Sequence, residues 1–298
     1  MYDVMLHEAS LWVDEPPFRK RKLEAPPVES PPDSPVASDA DYFSDEEEMD
    51  PVKREKYRKQ VFESCGFDVD FFIHTLGGII PVGWTSYELQ FAKAGLHCYN
   101  IEKGKKLEFK SVVKVNAEIA HMYNCYATLE VIDPVDDTVH TFQTLVTDSV
   151  KRKKASLVII TKICRIKPQV PGIGDATTFW DYDAVDEFYK GDMPDWPTND
   201  GADLLYEVKD SELRDNEWLS FYAEVALFSE RQCDTPPFEM KKVLVETKEG
   251  VQNQLKSSNA VFYMSFKVRG GPECRGIVRK TSDGRTGHIC LEARCWID

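Results

Sequence analysis

The chain has no apolar run of about 18 residues or more, so no membrane-spanning helix is expected. Its first residues, Met1-Tyr2-Asp3-Val4, carry an acid early, and no basic segment leads into an apolar core. No secretory signal is expected from them, which places the protein in the nucleus and/or the cytoplasm and not among secreted proteins. No Cys-x-x-Cys pair occurs among the eight cysteines, Cys65, Cys98, Cys125, Cys164, Cys233, Cys274, Cys290 and Cys295. Scattered thiols of this kind are expected to be reduced and mostly buried. A positive balance is missing too. The net charge is −14, which argues against nonspecific nucleic-acid binding through the whole surface. No nucleophile elbow is present, Gly172-Ile173-Gly174 lacks phosphate-loop context, and the six histidines are not clustered. The chain is therefore expected to be neither an enzyme nor a cofactor binder.

What is present divides by composition. Residues 1–55 are expected to be a disordered tail. Pro16-Pro17, Pro26-Pro27, Pro31-Pro32 and Pro35 interrupt any helix there, and Asp, Glu and Ser dominate the rest. Within it, Arg19-Lys20-Arg21-Lys22 is a candidate nuclear-import run. Ser30 and Ser34, each followed by Pro, and Ser44, followed by four acids, are candidate phosphorylation sites. The plain reading of each is a solvated stretch of a soluble tail.

Ordered structure is expected over 56–167 and again over 201–298. Thr85-Ser86-Tyr87-Glu88 offers a capping-box start, Leu89, Ala92, Leu96 and Tyr99 follow at helical spacing, and Gly104 stops the helix. Strand-like runs come next at 107–115, 122–132, 139–146 and 157–166, with Asp133-Pro134-Val135-Asp136-Asp137 as turn chemistry. The second half shows the same order. Leu213, Trp218, Tyr222 and Val225 form a helical stripe, and Phe238 to Val245 aligns with Leu107 to Lys114. Strands over 260–268, 273–279 and 288–296 complete it, the last two joined through Asp283-Gly284. The fold class expected is α+β: two cystatin-like repeats, each one helix packed on a four-stranded antiparallel sheet. Between them, the connector 168–200 carries Phe179, Trp180, Tyr182, Phe188, Tyr189 and Trp196 among acids. So many aromatics are expected to lie against the folded parts and fasten them together.

The stretch Leu107 to Val131 resembles the first β-hairpin of plant cystatins, inhibitors of papain-like cysteine proteases. At the tip, where that family carries Gln-x-Val-x-Gly, this chain reads Glu118-Ile119-Ala120-His121-Met122. The glycine that permits close backbone approach to a protease cleft is replaced by Met122, and Glu118 puts a charge where an uncharged amide is expected. Longer matches include Gly66-Phe67-Asp68-Val69-Asp70, Tyr87-Glu88-Leu89-Gln90, Phe188-Tyr189-Lys190-Gly191 and Arg279-Lys280-Thr281-Ser282-Asp283-Gly284. Through these the chain resembles a plant family of cystatin-related proteins without established activity, named after male-sterility and embryo-defective members. The resemblance implies a cystatin/monellin-like fold and a link to reproductive development. The function expected is a protein-interaction scaffold with an unidentified protein partner. A degenerate cystatin-type protease inhibitor is the alternative. Glu118, Ile119, Ala120, His121 and Met122, with Lys151, Arg152, Lys153 and Lys154, are the candidate interaction loops. His288, Cys290 and Cys295 are conceivable metal ligands at the end of the last strand; in a strand Cys295 falls on the other face from His288, and buried structural thiols are the expected reading.

Overall fold

The computed structural model describes residues 50–70, 78–119, 122–149, 155–169, 178–198, 205–231, 237–248 and 254–297, with Ile119 described by its backbone alone. Helix α1, Pro51–Ser64, starts where Asp50 accepts from the Val52 amide and Pro51 sets the first turn. It is polar on every side and buries no residue fully, so its attachments are polar. The Tyr57 hydroxyl accepts from the Ile79 amide at 2.7 Å, and Gln60 bonds both the amide and the carboxylate of Asp70. Helix α2, Ser86–Lys103, has the expected capping box from Thr85 and Glu88 and ends at Gly104 with φ 61°. Helices α3, Asp210–Asp215, and α4, Leu219–Arg231, precede the second group of strands.

The strands are β1 (Ile79–Val82), β2 (Glu108–Ile119), β3 (Tyr123–Asp133), β4 (Thr138–Asp148), β5 (Leu157–Ile166), β6 (Tyr206–Glu207), β7 (Phe238–Glu246), β8 (Ala260–Val268), β9 (Glu273–Thr281) and β10 (Ile289–Ile297). All pair antiparallel in one ten-stranded sheet of order β1-β2-β3-β4-β5-β10-β9-β8-β7-β6. This corrects the expectation of two repeats, each a helix on its own four-stranded sheet. Strands β5 and β10 pair from Ile289↔Thr161 to Ala293↔Leu157, so the sheet never breaks between the halves. The reason lies in the strands themselves. Leu157, Val158, Ile159 and Ile160 are all buried, as are Cys290 and Leu291. A strand apolar on both faces cannot sit at a solvated edge and is stable only inside a sheet covered on both sides.

Helices α2 and α4 cover one face. Their core is continuous across the pairing of β5 with β10, running from Phe91, Leu96 and Leu129 to Tyr222, Phe262 and Val278. Both helices approach the sheet at a glycine. A Cβ on Gly95 of α2 would lie 1.8 Å from Thr144 Oγ1 of β4, and a Cβ on Gly276 of β9 would lie 2.6 Å from the Ala226 Cβ of α4. Only the missing side chain permits either approach.

Residues 178–198 run across the opposite face. Trp180 and Val185 pack on Val158, Ile160 and Cys290, and Tyr189 and Met193 pack on Leu244, Val261, Tyr263 and Ile277. Arg279 clamps this strap from the sheet. Its Nη atoms donate to the carbonyls of Asp192 (3.1 Å) and Gly191 (2.9 Å), while its Nε pairs with Glu292. Phe67 covers Leu145 and Ile163 farther along.

The sheet edges are short. Strand β1 pairs only with residues 115–118 of β2, and β6 only with Leu244 and Val245 of β7. The uncovered lengths of β2 and β7 carry bulges at Phe109/Ser111, Val112/Lys114 and Met240/Lys242, and the lysines Lys110, Lys114, Lys241 and Lys242. Bulges and lysines are the usual protection of an edge against pairing with another chain.

Candidate functional site

The β2–β3 turn stands at one end of the sheet, where β3 and β4 begin and end opposite each other through Tyr123↔Asp148 and Asn124↔Thr147. Polar groups bind this corner to the start of α2. Glu88, buried by the capping box, accepts from the Thr85 amide (2.7 Å) and the Tyr123 hydroxyl (2.9 Å), and the Tyr87 hydroxyl donates to Asp148. Burial, with the neighbouring carboxylates adding to it, pushes both tyrosines far above their ordinary pKa. They stay protonated donors and fix the corner instead of abstracting protons.

Glu118 is tied into the same hairpin. Its carboxylate accepts from Asn124 Nδ2 at 2.9 Å and the Tyr126 hydroxyl at 3.4 Å. Lys162 lies near it, its pKa lowered by burial and partly restored by Glu118. The charge expected to obstruct a protease contact thus has internal partners. Met122 is exposed at the far side of the turn, and Ser149 Oγ donates to its sulfur at 3.8 Å. The Tyr182 hydroxyl, from the strap, lies 3.1 Å from the same Ser149 Oγ. Met122 and Tyr182, 36% and 45% exposed, therefore flank one buried serine.

Of the sequence-predicted residues, Glu118, the Ile119 backbone and Met122 are in this corner. Ala120, His121, Lys151, Arg152, Lys153, Lys154, Arg19, Lys20, Arg21, Lys22, Ser30, Ser34 and Ser44 lie outside the described residues. Ser149 is the last described residue before the 151–154 run, so its contact with Met122 brings the flanks of both candidate loops together. Sequence reasoning missed Tyr182. Its surplus of aromatic neighbours was the signal, but nothing in the order of residues says which of them stays exposed.

A second cluster lies where α2, α4, β5 and β9 meet. The His97 Nε2 is 3.1 Å from the Tyr222 hydroxyl, and burial lowers the His97 pKa to about 3. Burial also lowers Lys280 to about 8. Among the described residues, Cys98, Glu102 and Cys164 form the one group of three metal-type donors. The sequence-weighed trio behaves otherwise. His288 Nδ1 bonds Asp283 at 2.9 Å and its ring stacks on Trp180, Cys290 packs with the strap, and Cys295 is on the helix-covered face. Two open grooves lie among the described residues, one along Pro51, Val52, Glu55, Lys56 and Lys59, the other between α3, Leu219 and Met240.

Comparison with known proteins gives consistent findings. A family model described as Protein MS5 matches residues 193–291. The chain is 36% identical over 273 residues to the UPF0725 protein At4g29550 of Arabidopsis thaliana, covering 84% of this chain and 76% of that one. It is 35% identical over 286 residues to the UPF0725 protein At4g28920 of the same plant, covering 87% and 95%. Among solved structures, that of MS5 from Brassica napus matches with TM-score 0.57 at 23% identity, covering 72% of this chain and 100% of that chain. That last likeness concerns the fold alone. The plant-family part of the resemblance stands on these findings, and the cystatin-like part does not.

Proposed function

The chain belongs to the UPF0725 family of plant proteins, and from that footing we propose that it is a non-enzymatic protein-interaction scaffold acting in plant reproductive or embryo development. The observation that carries the reading is the exposed pair Met122 and Tyr182, held side by side on Ser149 at the end of a sheet covered on both faces. An exposed methionine offers an adaptable apolar surface and a tyrosine beside it a large amphipathic one, and both residue types are enriched in protein interfaces. The neighbouring sequence carries His121 and the basic run Lys151 to Lys154, which lie outside the described residues. In this reading the partner is a protein with an acidic rim around an apolar centre, and the chain works in the nucleus and/or cytoplasm. Reproductive development enters through the family resemblance.

The experiment compares the full chain with a Met122→Glu/Tyr182→Glu variant as baits in extracts of floral and seed tissue. Partners held by the parent and lost by the variant support the reading. Identical partner sets, or submicromolar inhibition of papain by the parent, overturn it.

A further inference from the structure

We propose that Cys98, Glu102 and Cys164 form a binding site for one zinc ion. Glu102 follows Cys98 by one helical turn, so both side chains leave α2 on the same side. Strand β5 presents Cys164 to them because its pairing with β4 skips Lys162: Leu145 faces Ile163 and Val146 faces Thr161. The bulge reverses the alternation. Ile163 turns to the strap side with Phe67, and Cys164 turns to the helix side. The two sulfurs and a Glu102 oxygen then lie within 4.8 Å of one another. A tetrahedral zinc ion, with bonds of about 2.0–2.3 Å, holds such donors about 3.5–4 Å apart, so small side-chain movements close the site.

The donor set selects the ion. Two thiolates with one carboxylate suit zinc, whereas magnesium and calcium take oxygen alone. The surroundings supply the outer support that metal carboxylates use. The Gly287 amide donates to Glu102 Oε2 at 2.5 Å, and Lys103 Nζ is 3.0 Å from Oε1. The Cys164 Sγ is 3.9 Å from the Gly287 carbonyl, which leaves that oxygen or a water for a fourth position. Glu102 is exposed and Cys164 half-buried, so an ion has a way in.

Lys280 bears on the charge of the site. Its side chain is 2% exposed, with its ammonium not fully withdrawn from solvent. Its electrostatic neighbour is the Cys98 sulfur. Binding an ion releases both thiol protons to solvent. Two thiolates and a carboxylate around a divalent ion leave one net negative charge, which the Lys280 ammonium neutralises.

The test uses the full chain, stripped with a chelator under reductant and titrated with Co²⁺ and then Zn²⁺. Expected is one Co²⁺ per chain, with sulfur-to-cobalt charge-transfer absorption and the visible bands of a tetrahedral ion, displaced by Zn²⁺ and not by Mg²⁺. Cys98→Ser and Cys164→Ser each remove part of the charge-transfer intensity. Each weakens zinc by more than the roughly 100-fold that loss of a supporting residue costs. Glu102→Gln keeps the charge-transfer band and weakens zinc about tenfold or more. Cys125→Ala titrates like the parent. Should a serine variant fail to fold, the parent decides alone, because Zn²⁺ then protects the half-buried Cys164 from alkylation and leaves Cys65 reactive. A parent without charge-transfer absorption, unchanged zinc affinity in the Cys98→Ser/Cys164→Ser chain, or alkylation indifferent to Zn²⁺ overturns the proposal.

Discussion

Arg279 and Glu292 face each other across β9 and β10, with Nε 2.5 Å from Oε2 and the side chains 3% and 0% exposed. The same guanidinium reaches two strap carbonyls, so one buried cation ties the sheet to the segment that covers it. Replacing Arg279 with Met strands the Glu292 carboxylate and releases the strap. The expected cost is about 3–5 kcal/mol, measured by urea unfolding. The double variant Arg279→Met/Glu292→Leu should recover most of it. A double variant as unstable as the single one counts against this account.

Lys280 is expected to make the protein less stable, and the sign follows from its pKa. The ordinary value is 10.5 and the folded value about 8. Between those values the unfolded chain binds more protons than the native one, so stability rises as pH goes from about 8 to 10.5. Below about 8 the penalty is fully present and constant. Lys280→Met, measured with chelator present, should gain about 3 kcal/mol at pH 7 and lose the alkaline rise. A variant that keeps the alkaline rise would show that another group causes it.

His97 acts on the acid side. Its ordinary value is 6.5 and burial holds it at about 3, so the native chain refuses a proton that the unfolded chain takes. Stability should fall as pH drops from about 6.5 towards 3, by about 4–5 kcal/mol from this group at the lower end. His97→Gln can still bond the Tyr222 hydroxyl and carries no titration. Its denaturation midpoints should decline less steeply over that range than those of the parent, whatever its stability at neutral pH.

Gly95 offers a packing test. Alanine is the better helix former by about 1 kcal/mol, yet its Cβ would lie 1.8 Å from Thr144 Oγ1, whose hydroxyl is already committed to the Ile163 carbonyl. Gly95→Ala should therefore destabilise by about 1–3 kcal/mol in thermal or urea unfolding. A stabilised Gly95→Ala chain would mean that α2 does not press on β4 as closely as described.

The local grammar of the fold was legible in the residues. Thr85 with Glu88 announced the start of α2 and Gly104 its end, and the strand runs from Glu108 to Ile166 and from Phe238 to Ile297 stood out by pattern. What the residues hid was which strands meet. Leu157 to Ile160 reads as one apolar run, which says that both faces are buried but not by what. Its partner, β10, lies far along the chain. Strand β1 carries little strand pattern, because it has four residues with Pro81 among them, although proline is at home in an edge strand. At the candidate site, the Cys98 and Glu102 spacing was visible on the helix. Cys164 was not connected to it because the skipped residue in β5 reverses its face, and no simple alternation rule shows such a skip.

Strand β10 follows every other described strand in the chain, yet it lies in the middle of the sheet between β5 and β9. During synthesis the apolar edge of β5 must therefore wait, unpaired, until residues 289–297 have been made. The first half cannot close by itself on the ribosome, and any product broken off before Ile289 exposes a two-sided sticky strand to its neighbours. The placement of one strand thus makes β10 the closure of β5, and a truncation before Ile289 is expected to aggregate more readily than the chain that carries it.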